Sequence, residues 1–444
     1  MDLSNASTLI QNSCLQISIV DLPSTTSSSS TTTGKDESKN NNDNTMMTMQ
    51  NIHSLSSKSK SIASWSISNI IVHCYILNTD PAEPEEIDDL TTNNNTNNDD
   101  YEPITVCEVL TLPHQSIHTS WENLIYPSYI KENIIGYAES ALLFSKKGVS
   151  HHIIAWNRVL LLHGPPGTGK TSLCRALSHK LSIRLNHIYP SGGYLLEIKS
   201  HSLFSKWFSE SGKLVAKLFD RIKEMVEDEP NALFCVLIDE VESLASSRMN
   251  NGSGGSGSAE PSDAVRAVNS VLTSLDSIRS YANVLILTTT NITGSIDTAF
   301  VDRVDLKQYI GYPCLEARYE ILKSCIEELI RVGIVSFSDG ENELKSFSHV
   351  ISEVGEEKES DNGCQNHELK HKSSQSLLLE CAIAAKDLSG RSLRKIPFQS
   401  HAFFIRSTES EPLDTFLISL RHGIENEKIS REDLTSGSTT DDRR

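Results

Sequence analysis

Three groups of residues carry types and spacings that suit phosphate chemistry. The first is Gly164, Pro165, Pro166, Gly167, Thr168, Gly169, Lys170 and Thr171, followed by Ser172. It fits G-x-x-x-x-G-K-[ST] and stands between an apolar run, RVLLLHG, and an amphipathic one, SLCRALSHKL. Glycines let backbone N–H groups curl around a phosphate, and the following helix presents its positive end to it. Lys170 can neutralise β/γ oxygens, and the Thr171 hydroxyl can hold Mg²⁺. The second group is Asp239 and Glu240, which close the apolar run ALFCVLIDE. By itself such a pair reads as solvated acids ending a strand. With a phosphate loop one crossover upstream, Asp239 reads instead as a Mg²⁺ partner, through water. Glu240 then reads as the general base for an attacking water.

The third group is looser. Asn291 ends NVLILTTTN, where its amide orients that water, contacts the γ-phosphate or caps a loop. Arg303 in FVDRVD either reaches a neighbouring subunit's γ-phosphate or pairs on the surface with Asp302 or Asp305. Arg391 in LSGRSLRK either closes a helical lid on the nucleotide or is a solvated helix arginine.

These residues need a scaffold that gathers strand ends. Short apolar strands are expected at 158–164, 194–198, 232–240 and 283–291, alternating with helical stretches. That order argues for an α/β fold with a parallel sheet buried on both faces. Residues 121–144 and 315–335 have helical spacing, and helices resume from 376 to about 425. Strands are also expected near residue 72 and over 106–113. The fold class expected is thus a P-loop α/β module with a helical lid and a small α+β N-terminal domain holding disordered segments. Its parts are 1–113 for the N-terminal domain, 114–312 for the ATPase module, 313–426 for the lid and 427–444 for a flexible tail.

The chain has 444 residues, 40 Lys plus Arg against 58 Asp plus Glu, and a formal charge of −18, which argues against broad binding to phosphate backbones. The charge is unevenly spread: residues 80–102 hold nine acids and no Lys or Arg, and residues 339–363 hold eight acids and two lysines. Both stretches read as loops, the second within a polar insertion over 339–376. Residues 24–60 are mostly Ser, Thr, Asn and Lys and read as disordered. Nine scattered cysteines show no metal or disulfide spacing. The start, MDLSNASTLI, lacks the charge and apolar core of a secretory signal, and no apolar run reaches the ~20 residues of a membrane span.

The motifs and their order resemble an AAA+ ATPase. WNRVLLLHGPPGTGKTSLC, SHSLFSKWFSESGKLV, LIDEVESL, VDRVDLKQYIG and SGRSLRKIPF are similar to the pachytene checkpoint ATPase family in particular. The resemblance spans about residues 104–425. It implies a homo-hexamer that uses Mg²⁺-ATP to open closed HORMA-domain proteins, with an adaptor for the checkpoint client. The implied settings are spindle-checkpoint silencing and meiotic chromosome-axis remodelling, in the nucleus on chromosomes and in the cytoplasm. No direct nucleic-acid or membrane contact is expected. The family's pore-loop aromatics match Trp207 and Phe208, which from pattern alone read as core residues. The Gly/Ser run after Met249 sits where a second pore loop should be. LQISIVD (15–21) and the strand near residue 72 match what is left of the family's N-terminal recognition domain. Two other classes fit the sequence less well. A DNA-acting AAA+ motor should show a basic channel, and none is evident. A nucleotide-gated scaffold has no use for an intact Asp239-Glu240 pair.

Overall fold

The structure is a computed structural model that describes residues 15–19, 72–87, 104–150, 152–199, 211–242, 261–292, 298–337, 343–352 and 373–436. The chain divides into two compact units, Met1–Ile76 and Leu77–Arg444. In the first, β1 (Leu15–Ile19) pairs antiparallel with β2 (Val72–Ile76), Leu15 opposite Ile76. Trp207, Phe208, the Gly/Ser run over 250–258 and all of 24–60 lie outside the described residues.

The second unit is built on a seven-stranded sheet. Its strands are β3 (Glu83–Ile87), β4 (Ile104–Leu112), β5 (Val159–His163), β6 (Gly193–Lys199), β7 (Leu233–Asp239), β8 (Val284–Thr290) and β9 (Leu306–Tyr309), in the order β3-β4-β6-β7-β8-β5-β9. The five strands from β6 to β9 in that order are parallel. Every residue of β8 is buried, as are all of β5 and β7 but their last residues, because helices cover both faces. On one face α1 (Ser128–Lys146) and α2 (Lys170–Arg184) pack through Ile134, Leu142, Leu173 and Leu177. On the other, α3 (Ser211–Asp228) and α4 (Pro261–Ile278) pack through Leu218, Ile222, Leu275 and Ile278. The order reverses between β8 and β5, so the carboxyl ends of these strands converge at one crevice.

The lid follows. A one-turn helix α5 (Thr298–Val301) leads into β9, and α6 (Leu315–Arg331), α7 (Ser374–Ala384), α8 (Gly390–Ser400) and α9 (Leu413–Ser436) then share a separate core around Tyr319, Leu393, Ile396, Phe416 and Leu420.

Five elements differ from the sequence expectation. Glu83–Ile87, inside the acidic stretch read as a loop, is the edge strand β3, antiparallel to β4. An edge strand tolerates both its charges and Pro84. β4, assigned by sequence to the N-terminal part, hydrogen-bonds to β6 from Cys107 to Leu112 and so joins the sheet. The helical pattern over 121–144 is broken at Pro127, which disfavours a helical residue before it. A single turn over Ser120–Asn123 precedes it and α1 follows. Within the polar insertion, Leu344 and Val350 are buried in the lid core. Finally, α9 continues through the expected tail to Ser436, and Arg431 bonds Glu427 one turn earlier and Ser392 on α8. Among the described residues no helix is long and apolar enough to cross a membrane.

Candidate active site

The phosphate loop is set by what each neighbour allows. β5 ends at His163, and two prolines with three glycines keep the chain out of helix until Lys170. Gly167 has φ 76° and Gly169 has φ 89°, a region side chains avoid. A Cβ on Gly167 would stand 2.8 Å from Ser389 Oγ, and one on Gly169 would stand 2.5 Å from the Tyr126 hydroxyl. The loop is therefore clamped between the lid and the segment before α1. Tyr126 donates its hydroxyl to the Thr168 carbonyl at 2.6 Å. Arg391 donates its backbone N–H to the Gly167 carbonyl at 3.1 Å.

Lys170 is buried, and its Nζ donates to the Gly164 and Pro165 carbonyls at 2.9 and 2.8 Å. Burial pushes its pKa below the usual lysine range, while Glu242, Asp239 and Glu240 pull the other way. His163 is also held below the usual histidine range, by burial first and then by the Lys170 charge.

The carboxylates come from the tip of β7. Asp239 Oδ1 accepts from Thr171 Oγ1 at 2.8 Å and from Thr289 Oγ1 on the adjacent β8. Thr289 Oγ1 in turn accepts the Glu240 N–H at 3.1 Å. Glu240 has φ 57°, which is uncommon for a residue with a long side chain. Its side chain is exposed at the crevice. The Asn291 N–H donates to Glu242 Oε1 at 3.1 Å, so Asn291 is fixed beside the same carboxylate tip.

A cleft of about 260 Å³ opens between the phosphate loop, residues 123–126 and α8. Leu124, Ile125, Tyr126, Pro313 and Ile321 give it apolar walls, and Ser172, Arg391 and Arg394 give it polar ones. Arg394 also donates to the Asn123 carbonyl at 2.8 Å, tying α8 to that wall. An apolar slot ending on a phosphate loop suits a nucleobase and its phosphates.

Arg303 is placed differently. Its Nε and Nη2 donate to Asp276 Oδ1 and Oδ2 at 3.0 and 2.8 Å, and its Nη1 donates to the Ala299 carbonyl at 2.7 Å. Neither acid named from sequence is its partner in that pair. Asp305 instead accepts from the Asn157 and Arg158 N–H groups and the Tyr137 hydroxyl, at 2.6, 2.8 and 2.8 Å.

The structure thus brings Lys170, Thr171, Asp239, Glu240, Asn291 and Arg391 to one crevice, and leaves Arg303 at the end of α4. Sequence reasoning missed Thr289 and Tyr126. Thr289 had a signal: three hydroxyl residues close a wholly buried strand, and buried hydroxyls need partners. Tyr126 had none, since nothing in NLIYP separates a site tyrosine from a packed one.

Comparison with known proteins gives the family. Residues 160–312 match the model of the ATPase family associated with various cellular activities (AAA). Residues 314–428 match the TRIP13-like, AAA+ ATPase lid C-terminal domain. The chain is 42% identical to the pachytene checkpoint protein 2 homolog of Xenopus tropicalis over 87% of its own length and 84% of that protein. It belongs to the pachytene checkpoint protein 2 family. The two matched models are those of an AAA ATPase domain and its lid, so this chain carries an AAA ATPase module. It is 51% identical to the pachytene checkpoint protein 2 homolog of Arabidopsis thaliana over 71% of this chain, but the match spans only 66% of that relative's length. A solved structure of PCH-2 from C. elegans superposes with a TM-score of 0.60 at 39% identity, covering 73% of this chain and 76% of that one.

Proposed function

We propose that the protein is a homo-hexameric, ATP-driven remodeller that opens closed HORMA-domain proteins. Its settings are spindle-checkpoint silencing and the control of meiotic axes and recombination, in the nucleus on chromosomes and in the cytoplasm. An adaptor presents the checkpoint client. No direct nucleic-acid or membrane contact is part of the reading. Family membership supports the substrate class. The observation that carries the chemistry is the Thr171–Asp239–Thr289–Glu240 chain of hydrogen bonds at the foot of the phosphate loop.

ATP lies in the cleft, its base against Leu124, Ile125 and Ile321 and its phosphates on the N–H groups of Gly167 to Thr171. Lys170 exchanges its two loop carbonyls for phosphate oxygens. Mg²⁺ fits the donor set, since Thr171 and Asp239 offer a hydroxyl and a carboxylate, both hard oxygens, 2.8 Å apart. When bound it neutralises charge on the β- and γ-phosphates. Glu240 takes the proton of the attacking water at its carboxylate, and the Asn291 amide aligns that water. Arg303 from the neighbouring subunit meets charge developing on the γ-phosphate. Arg391 reads the same phosphate from the lid, because its own backbone is bonded to Gly167. Trp207 and Phe208 grip the client's backbone through area rather than specific hydrogen bonds. The first unit, Met1–Ile76, recognises client and adaptor.

Replacing Trp207 tests the coupling. Trp207→Ala should keep basal ATP turnover and lose release of a closed HORMA protein. Retained release would remove the gripping role.

A further inference from the structure

We infer that Asp276 is the positioning residue for Arg303, a splint that aims the guanidinium across the subunit boundary. The inference rests on the reading of Arg303 given above. Asp276 lies in the last turn of α4, between Leu275 and Ile278, which are 2% and 0% exposed in the sheet core. Its backbone is therefore fixed to the sheet. Its two oxygens take Nε and Nη2 of Arg303 in a forked pair. The Ala299 carbonyl, from the turn that carries Arg303, takes Nη1. Three contacts on three nitrogens define both the position and the plane of the guanidinium.

The segment holding Arg303 is pinned on either side. The Arg303 and Val304 N–H groups bond to Phe300 and Val301, and the Asp305 N–H bonds to Val159 on β5. With the backbone fixed, side-chain rotation is what is left to control, and Asp276 controls it. A long arginine held only at its Cα would sample many rotamers and would have to lose them at each turnover. The pair is partly solvated, the Arg303 and Asp276 side chains being 30% and 45% exposed, so it can face a partner surface while it holds its geometry. Solvation also keeps the attraction modest, which argues for orientation rather than for a lock that must be broken.

The test isolates the effect in trans. Glu240→Gln subunits lack the base but offer an intact finger, and Arg303→Ala subunits have the base but no finger. Mixing the two should restore ATP turnover at shared interfaces. The Glu240→Gln/Asp276→Ala double variant, mixed in the same way, should restore about tenfold less, with KM for ATP within about twofold. Its own site is already silent, so the loss reports only how its Arg303 is aimed. Asp276→Asn, which keeps shape and one acceptor, should fall between. Asp276→Ala added to Arg303→Ala should cost nothing further.

Equal rescue by the single and double variants overturns the inference. Greater rescue by the double variant also overturns it, because Asp276 would then be restraining the finger. If Arg303→Ala alone stays fully active, or Glu240→Gln rescues nothing, the reading of Arg303 itself has failed and the splint falls with it.

Discussion

Glu240 combines a functional requirement with a backbone cost. Its φ of 57° puts a side chain in the left-handed region, which costs about 1–2 kcal/mol. The Thr289 hydroxyl holds its N–H in that turn, and the turn brings the carboxylate to the crevice. Glycine would relieve the strain and would forfeit about 0.5–1 kcal/mol of chain entropy. Glu240→Gly should therefore raise stability by about 0.5–1 kcal/mol while abolishing hydrolysis. Urea unfolding beside an ATPase assay checks both halves, and a variant no more stable than its parent would remove the strain argument. Glu240→Gln keeps the shape and removes the base. It should bind ATP normally and turn over about 10²–10⁴ times more slowly. Unchanged turnover would remove Glu240 from the role.

At the scale of elements, the phosphate loop and the start of α8 are in close contact, and Gly167 leaves no room between them. Gly167→Ala adds a methyl 2.8 Å from Ser389 Oγ and forces an unfavourable φ. It should weaken ATP binding at least tenfold and loosen the lid, which fluorescent-nucleotide titration and hydrogen exchange over α8 would record. Normal affinity and protection would break the proposed link. On α2, burial pushes the His179 pKa down to about 4, with the nearby His118 adding to the shift and Glu122 opposing it. The unfolded value is near 6.5, so the unfolded chain takes up the proton first as pH falls. Stability is full above about 6.5 and declines toward 4, by about 2 kcal/mol at pH 5. His179→Gln should flatten that limb in denaturant curves at pH 7.5 and 5, and an unchanged slope would place the acid sensitivity elsewhere.

The same scale explains what was legible in the sequence. β5, β7 and β8 announced themselves because strands buried on both faces must be continuously apolar. β3 did not, because an edge strand carries charges freely, and β9 did not, because its four residues alternate between half-buried and exposed. The loop, the carboxylates and Arg391 were legible because their chemistry restricts residue type. Asp276 was not, since it meets Arg303 27 positions away through a helix packed on the sheet and no local pattern reports that.

At the scale of the whole molecule, the acidity resolves into places. One acidic stretch contributes the outer strand β3, whose Glu85 pairs with Arg221 on α3 at 2.6 Å. The bulk charge therefore says little about what the ATPase crevice accepts. In the proposed function, what the molecule does is set by one crevice, a lid bonded to its phosphate loop, and an arginine held at the far end of α4. In the proposed function ATP turnover serves a mechanical end, so the direct measurement is conversion of a closed HORMA-domain protein to its open form, with ATP and with and without an adaptor. Conversion that requires ATP and is lost in Glu240→Gln is the predicted result. Steady ATP turnover that leaves the closed form intact under both conditions would contradict it.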